Sequence, residues 1–220
     1  MIYSENVLIC LTIPLLITVL FLRDTPRKVI EAFILGMIIC LVSGYISGFA
    51  KIASGMSAED TAIYVSPMIE ETMKLLPVLF TMYVLEDGDS ELFLTSVASG
   101  AGFATFENIC YLLSGSETRL SFVLIRGFAV GTMHIASMIL LAATIIVERR
   151  YDAVSLPALA GALAMSSTLH GLYNLLVSEP GLFSAIGYAM PFGIAVLLYI
   201  GFSINISPYL RGEAETKKII

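Results

Sequence analysis

The sequence predicts an all-α protein, a polytopic bundle of transmembrane helices. Of its 220 residues, 57% are hydrophobic and only 14% are charged, and the mean hydropathy is +0.89. Soluble globular domains carry about 25% charged residues. The apolar residues also gather in runs near the length of about 20 residues that a helix needs to cross a bilayer. We therefore expect a single integral membrane domain spanning residues 1–220.

The apolar runs predict about seven spans, separated by short polar segments. Pro191 and several glycines interrupt the last run, so a six-span arrangement with the first or last segment at the interface stays open. The predicted spans are Val7–Leu22, Val29–Phe49, Thr61–Leu85, Leu92–Leu113, Leu120–Val147, Leu156–Val177 and Leu182–Ile204.

Lysines and arginines in the loops predict the orientation, because they accumulate on the cytoplasmic side while acidic residues contribute little. Eight fall on one side of the predicted bundle and two on the other. We expect a multi-pass protein of the cell membrane with its N-terminus outside and its C-terminus in the cytoplasm. The eight are Arg23, Arg27, Lys28, Arg149, Arg150, Arg211, Lys217 and Lys218, and the two are Lys51 and Arg119.

The composition argues against a nucleic-acid-binding protein and against structural sites built from cysteines. The net charge is −6 and no basic patch is present, so we expect no nucleic-acid partner. Cys10, Cys40 and Cys110 stand alone in apolar stretches, which argues against a disulfide framework or a cysteine-ligated zinc site.

Small residues cluster in several predicted spans, and such faces let helices approach closely in lipid. We expect close packing at each of them. The clusters are Gly44-x-x-x-Gly48, Ser99-Gly100-Ala101-Gly102, Gly127-x-x-x-Gly131 and Ala160-Gly161-Ala162.

The third predicted span carries three ionisable residues, Glu70, Glu71 and Lys74. A charged residue at the centre of a transmembrane helix costs about 2.5–3.5 kcal/mol on insertion scales. Glu70 and Lys74 share one helix face. Pro67 and Pro77 bracket the motif and each lacks a backbone N–H, which is tolerable where a helix lines protein or a hydrated cavity. This span is therefore expected to contribute to a functional site.

Three later spans each carry a pair of polar residues three or four positions apart, so that both members lie on one helix face. The fourth span holds an acid and a phenol, and the fifth and sixth each hold an imidazole. The pairs are Glu107 and Tyr111, His134 and Ser137, and His170 and Asn174.

These polar groups fall at similar depths in the predicted spans. With a rise of about 1.5 Å per residue, Glu70 and Glu71 lie roughly 3–5 Å outward of the span centre. Glu107 and His170 lie roughly 6–8 Å outward, and His134 lies near the centre. Unrelated polar residues would scatter in depth, so four helices are expected to deliver one site to the outer half of the membrane.

The charges in this layer indicate acid–base chemistry. Three glutamates against Lys74 leave two negative charges uncompensated. Adjacent carboxylates disfavour joint ionisation, so at least one glutamate is expected to hold a proton near neutral pH. A carboxylate beside a carboxylic acid is the arrangement that general acid–base catalysis uses. We therefore interpret the layer as a hydrolytic centre inside the bilayer.

The four motifs, in order on successive spans, resemble those of the PrsW family of intramembrane proteases. That family is grouped with the CAAX-processing membrane proteases and with the Aph-1 group. The resemblance covers a motif-bearing core of about residues 61–177 and leaves the first two spans and the last unsupported. The chain differs from the CAAX-processing relatives at two positions. Its basic residue is Lys74, whereas they have an arginine one position later, and it has Val130 where they have a phenylalanine. Prenylated cytosolic substrates are therefore not expected.

The resemblance implies a glutamate-dependent hydrolase that cuts a membrane-anchored protein, such as an anti-sigma-factor-like regulator, toward the extracytoplasmic side. It implies that Glu70, aided by Glu71, deprotonates a water held with His134. It implies that His170 and Asn174 stabilise the oxyanion. Lys74, Glu107, Tyr111 and Ser137 would support these groups, with no cofactor.

Three alternatives remain open at this stage. The first is a zinc-dependent hydrolase that uses the same histidines and glutamates, although no H-E-x-x-H motif is present. The second is a proton- or ion-coupled transporter, since such proteins also bury Glu, Lys and His. The third is a non-catalytic scaffold of the Aph-1 kind.

Overall fold

The computed structural model describes residues 3–83, 88–115, 119–149 and 155–201. Every regular element within these ranges is a helix, which confirms the predicted all-α class. The seven long helices match the seven predicted spans to within a few residues, and residues 202–204 of the last span lie outside the described ranges. The helices are α1 Ser4–Val19, α2 Asp24–Ser54, α3 Ser66–Tyr83, α4 Asp89–Leu113, α5 Leu120–Arg149, α6 Leu156–Ser178 and α7 Leu182–Gly201.

Helix α3 starts later than predicted, because a short helical turn, Ala58–Asp60, and a π-helical segment, Thr61–Val65, precede it. The turn is capped by Ser57, whose hydroxyl accepts a hydrogen bond from the Asp60 N–H at 3.0 Å. Helix α6 packs directly on the π-helical segment, since a Cβ added at Gly171 would lie 2.9 Å from the Ile63 carbonyl oxygen.

Polar groups lie inside the bundle and large apolar side chains lie outside it. Glu71, Lys74 and His134 have no exposed surface, whereas Phe49 and Leu197 are 73% and 70% exposed. This pattern is the reverse of that in a soluble domain, and it is what a hydrocarbon solvent favours.

Three of the described helices are long and apolar enough to cross a membrane, namely α2, α5 and α7, and α1 is a shorter apolar helix. Helices α3, α4 and α6 are less apolar because they carry the motif residues and many small residues. The chain is therefore a membrane protein, and its candidate site is formed by these three less apolar helices together with the apolar helix α5.

Helices α2 and α4 make the closest backbone approach described in the bundle. A Cβ at Gly36 would lie 2.0 Å from the Ser99 carbonyl oxygen, and one at Gly102 would lie 2.0 Å from the Phe33 carbonyl oxygen. The predicted packing role of the Ser99–Gly102 cluster is therefore confirmed.

The same prediction is wrong at the glycines of the other clusters, although Ala162 of the last cluster is buried among apolar residues of α3, α4 and α5. A Cβ added at Gly44, Gly48, Gly127, Gly131 or Gly161 would meet no atom within 4 Å. A small residue permits close approach but does not itself supply a facing helix.

Two apolar clusters flank the polar residues of the bundle. On one side, Met82 of α3, Leu92 of α4 and Leu141 of α5 belong to a buried cluster. On the other side, Val130 and Met133 of α5 pack with Tyr173 of α6. The site therefore lies in a polar layer between two apolar ones, which limits where water can reach it.

Candidate active site

Lys74 lies at the centre of the buried polar cluster, and its ammonium group has a full set of hydrogen-bond acceptors. Its Nζ lies 2.6 Å from Glu71 Oε1, 2.9 Å from His134 Nδ1 and 3.1 Å from Ser137 Oγ. An ammonium carries three N–H donors and no acceptor. The three contacts therefore use every donor, and they assign the proton of His134 to the other ring nitrogen, Nε2.

Glu71 connects Lys74 to the second imidazole. The same Oε1 atom that accepts from Lys74 lies 2.9 Å from His170 Nδ1, and Glu71 has no exposed surface. Its carboxylate thus holds one cation and one imidazole in fixed positions.

Glu70 is the less engaged of the two adjacent glutamates. Its Oε2 atom is buried but accepts no hydrogen bond from any residue that the structure describes. This atom lies 3.8 Å from His170 Nε2, and the Glu70 side chain keeps 18% of its surface exposed. A separation of 3.8 Å is too long for a direct hydrogen bond and suits a bridging water.

Glu107 joins the site from α4. Its Oε2 atom makes a short contact with His134 Nε2, and its Oε1 atom accepts from Arg126 at 3.0 Å. The Arg126 guanidinium stacks over the Tyr111 ring at 3.7 Å, a cation–π contact. From its position toward the outer end of the fifth predicted span, Arg126 is expected either to snorkel to the membrane surface or to pair with Glu107 or Glu117. The structure shows the pair with Glu107, and Glu117 lies outside the described residues.

The charge balance differs from the one that the sequence suggested, because Arg126 is a member of the cluster. Three glutamates meet two cationic side chains, Lys74 and Arg126. One negative charge is therefore uncompensated, whereas the sequence suggested two. One proton shared among the glutamates and imidazoles suffices to neutralise the cluster. The sequence signal that pointed to Arg126 was its position inside an apolar run.

Ser137 and Asn174 lie at the edges of the cluster. Ser137 accepts from Lys74 and donates to the His134 carbonyl oxygen at 2.9 Å. Asn174 Nδ2 donates to the Ala62 carbonyl oxygen at 2.8 Å, so this amide ties α6 to the π-helical segment.

Phe103 contacts the cluster and was not predicted from the sequence. Its ring centroid lies 4.9 Å from Lys74 Nζ and 4.7 Å from the His134 ring centroid. The π face of an aromatic ring attracts a cation and excludes water from it. A phenylalanine in an apolar helix carries no sequence signal that would set it apart.

The two imidazoles, which the sequence placed on different spans, lie against each other. Their ring centroids are 5.1 Å apart in an edge-on arrangement. Glu70, His134 and His170 each offer one ligand-type atom within 4.8 Å of the others. Helices α3, α4, α5 and α6 thus bring the predicted acids and imidazoles to one place, as expected.

The fold and the cluster define a class: a helical membrane protein with a buried group of carboxylates and imidazoles. A family model described as PrsW family intramembrane metalloprotease matches residues 24–202. The chain belongs to the PrsW family, and it is therefore an intramembrane protease. No curated protein and no solved structure matches the chain.

Proposed function

We propose that this chain is a multi-pass endopeptidase that uses Glu70 to activate water and cuts a membrane-anchored protein near the extracytoplasmic side. The observation that carries the proposal is the Glu70 carboxylate, which has a buried, unpartnered Oε2 atom and an oxygen within 4.8 Å of both imidazoles. Glu71 Oε2 is unpartnered as well, but Glu71 Oε1 is held by Lys74 and His170. A general base needs an oxygen that is free to accept a proton from water, within reach of groups that position that water.

Glu70, rather than Glu71, is the proposed base. Glu71 already balances Lys74 and holds His170 through Oε1, so a proton taken on its Oε2 would remove the negative charge that strengthens both contacts. Glu70 Oε2 makes no such contacts, and the Glu70 side chain is partly exposed, so a water molecule can reach it. The assignment follows from this difference in engagement.

His134 is the proposed partner that positions the water. Because Lys74 donates to Nδ1, the Nε2 atom carries the proton and acts as a donor. We propose that this N–H, which also donates to Glu107 Oε2, is shared with the water oxygen, so that the water's own hydrogens face Glu70. Ser137 and Glu107 support this arrangement by fixing Lys74 and the edge of the His134 ring.

His170 is the proposed oxyanion donor. It has a carboxylate near each ring nitrogen, Glu71 at 2.9 Å and Glu70 at 3.8 Å, and these favour a positively charged ring. Such a ring, fixed before the reaction, stabilises the negative charge that develops on the scissile carbonyl oxygen. Asn174, through its second amide N–H, is the proposed assistant, and Glu70 returns the proton to the leaving amine.

The description of the family implies a metal ion, and the donor types partly match one. Two imidazoles and a carboxylate are a common ligand set for catalytic zinc. His170 has the expected outer partner, because a metal-bound histidine usually gives its other N–H to an acceptor such as Glu71.

His134 does not fit that role. Its Nδ1 atom faces the Lys74 ammonium, a donor, where a metal ligand needs an acceptor. With the proton on Nε2, that atom has no lone pair for a metal. We therefore propose that the reaction needs no metal ion.

The substrate class follows from the family and from the depth of the site. An intramembrane protease acts on membrane-anchored proteins, and an anti-sigma-factor-like regulator is the proposed example. The outward depth calculated from the spans, together with seven crossings and an outside N-terminus, would place the cut toward the extracytoplasmic face.

The test is cleavage of single-span substrates by the purified chain and four variants: Glu70→Gln, Glu71→Gln, His134→Ala and His170→Ala. Loss of the general base is expected to lower turnover about a hundredfold or more. The same preparations are analysed for bound metal and assayed with a chelator, and we expect activity to persist. Glu31→Gln serves as a control, since its exposed carboxylate pairs only with Arg27 among the described residues.

Retained turnover in all four variants would contradict the mechanism. Activity that a chelator abolishes and zinc restores would support the metal alternative instead. Ion flux into liposomes without cleavage would favour the transporter, and stable partner complexes without cleavage would favour the scaffold.

A further inference from the structure

A cavity of about 280 Å³ lies between α5, α6 and α7 and reaches the candidate site. Its inner end is formed by three buried residues, Ser137, Ser166 and His170, and its outer end by Met165 and Leu197, which are 55% and 70% exposed. The cavity therefore connects the apolar surface of the bundle with an imidazole of the proposed site. A larger groove between α3 and α6 is lined by none of the proposed site residues.

One buried polar atom in this cavity has no partner. Ser166 is 2% exposed, and its hydroxyl makes no hydrogen bond with any described residue. Buried hydroxyls are almost always hydrogen-bonded, so a hydroxyl in this position can bind a polar group of a molecule that enters the cavity. A peptide backbone offers both a donor and an acceptor for this hydroxyl.

The remaining lining is apolar and adaptable. Leu140, Leu169 and Ile194 form the walls, and Met133 and Met165 contribute flexible side chains. A cavity of about 150 Å³ is enough to bind benzene in another protein. This one accordingly has room for a large aliphatic or aromatic side chain.

The position of the cavity along the helices fixes which part of a substrate reaches it. Leu140 follows His134 along α5, and Ser166 precedes His170 along the antiparallel α6, so both lie toward the same end of the bundle. In the predicted orientation this end is the cytoplasmic one. The cavity therefore lies deeper in the membrane than the imidazoles.

Resting on the proposed function, we infer that this cavity is the specificity pocket for a large apolar side chain on the membrane-embedded side of the scissile bond. Ser166 binds the adjoining substrate backbone, and His170 stands at the junction of pocket and catalytic cluster. The substrate class is thus a single-span protein with Leu, Met or Phe just inside the membrane from the cut.

The experiment compares Leu140→Trp with its neighbour Ile139→Trp. Both side chains are half-buried, but Leu140 lines this cavity and Ile139 lines a different groove against α4 and α7. The purified chain is given single-span substrates with Phe, Leu, Ala or Asp at each position just inside the cut. Leu140→Trp fills the pocket and is expected to change the ratio of kcat/KM for the Phe and Ala substrates by about tenfold or more. Ile139→Trp is expected to leave this ratio unchanged.

A second measurement does not depend on turnover. It uses a Glu70→Gln chain in which Cys10, Cys40 and Cys110 are replaced by alanine. In this chain Leu140→Cys is expected to cross-link to a cysteine placed on the membrane-embedded side of the substrate's scissile bond, and Ile139→Cys is not. Equal changes of the Phe-to-Ala ratio in the two tryptophan variants, together with equal cross-linking by the two cysteine variants, would contradict the proposed pocket but not the proposed protease activity. No cleavage by the wild-type chain, with no cross-link, would overturn both.

Discussion

At the scale of single residues, Lys74 decides how the ionisable groups divide their work. Its three donors are all used inside the bundle, by Glu71, His134 and Ser137. This saturation ties Glu71 to a structural role and sets the tautomer of His134. Glu70, one position earlier in the sequence, makes none of these contacts. The two adjacent glutamates thus differ in their partners, and on the proposed mechanism they differ in their roles.

This division predicts that the two glutamine variants differ in stability. Glu71→Gln leaves the Lys74 ammonium without its carboxylate at a site with no exposed surface, and breaking a buried pair costs about 3–5 kcal/mol. Glu70→Gln removes no hydrogen bond made by the Oε2 atom, so its unfolding midpoint in detergent is expected to stay close to that of the wild type.

The double variant Glu71→Gln with Lys74→Met serves as the control, because it removes both charges together. Its unfolding midpoint is expected to lie above that of Glu71→Gln. Equal midpoints for Glu70→Gln and Glu71→Gln would contradict the proposed division.

At the scale of helices, the contact between α2 and α4 fixes the position of Glu107. Gly36 and Gly102 let the two backbones meet without side chains between them. Glu107 lies little more than one turn beyond Gly102 on the same helix, so the height and rotation of α4 set where its carboxylate meets His134 and Arg126. The close packing of α2 on α4 therefore determines the geometry of the polar cluster elsewhere in the bundle.

Opposite effects are expected from the same substitution at two glycines. Gly102→Ala places a Cβ 2.0 Å from the Phe33 carbonyl oxygen, and backbone cannot move aside, so a loss of about 1–3 kcal/mol is expected. Gly44→Ala meets nothing within 4 Å and gains about 0.5–1 kcal/mol from reduced backbone freedom. Unfolding midpoints in detergent measure both, and a shift of the same sign in each would show that the α2–α4 contact is not tight.

At the scale of the whole molecule, the protein inverts the polarity of a soluble fold. Five charged side chains meet in one internal layer, and many large apolar side chains are exposed on the outside. Arg149 and Asp89, at the same end of α5 and α4, pair at 3.0 Å and mark the end that the loop charges assign to the cytoplasm. The other cationic residues of that assignment include Arg150, Arg211, Lys217 and Lys218, which lie outside the described residues.

The orientation predicts the behaviour of reporter fusions. A fluorescent protein that matures only in the cytoplasm is expected to fluoresce when fused to the C-terminus. An alkaline phosphatase, active only outside, is expected to be active when inserted at the turn near Gly55. The reverse pattern would place the site near the cytoplasmic face and exclude the proposed extracytoplasmic cut.

The sequence by itself determined the helical class, the approximate bounds of seven helices and the identity of the polar residues that meet inside the bundle, because insertion costs leave few reasons to bury Glu70, Lys74 or His134 in lipid. It did not separate Glu70 from Glu71, since both occupy one turn of one helix. Nor did it show which small-residue faces find a partner, that Phe103 lies against the cluster, or whether Arg126 reaches Glu107. Only the tertiary structure decided these, because hydrogen-bond saturation and close packing depend on side chains that meet across four separate helices.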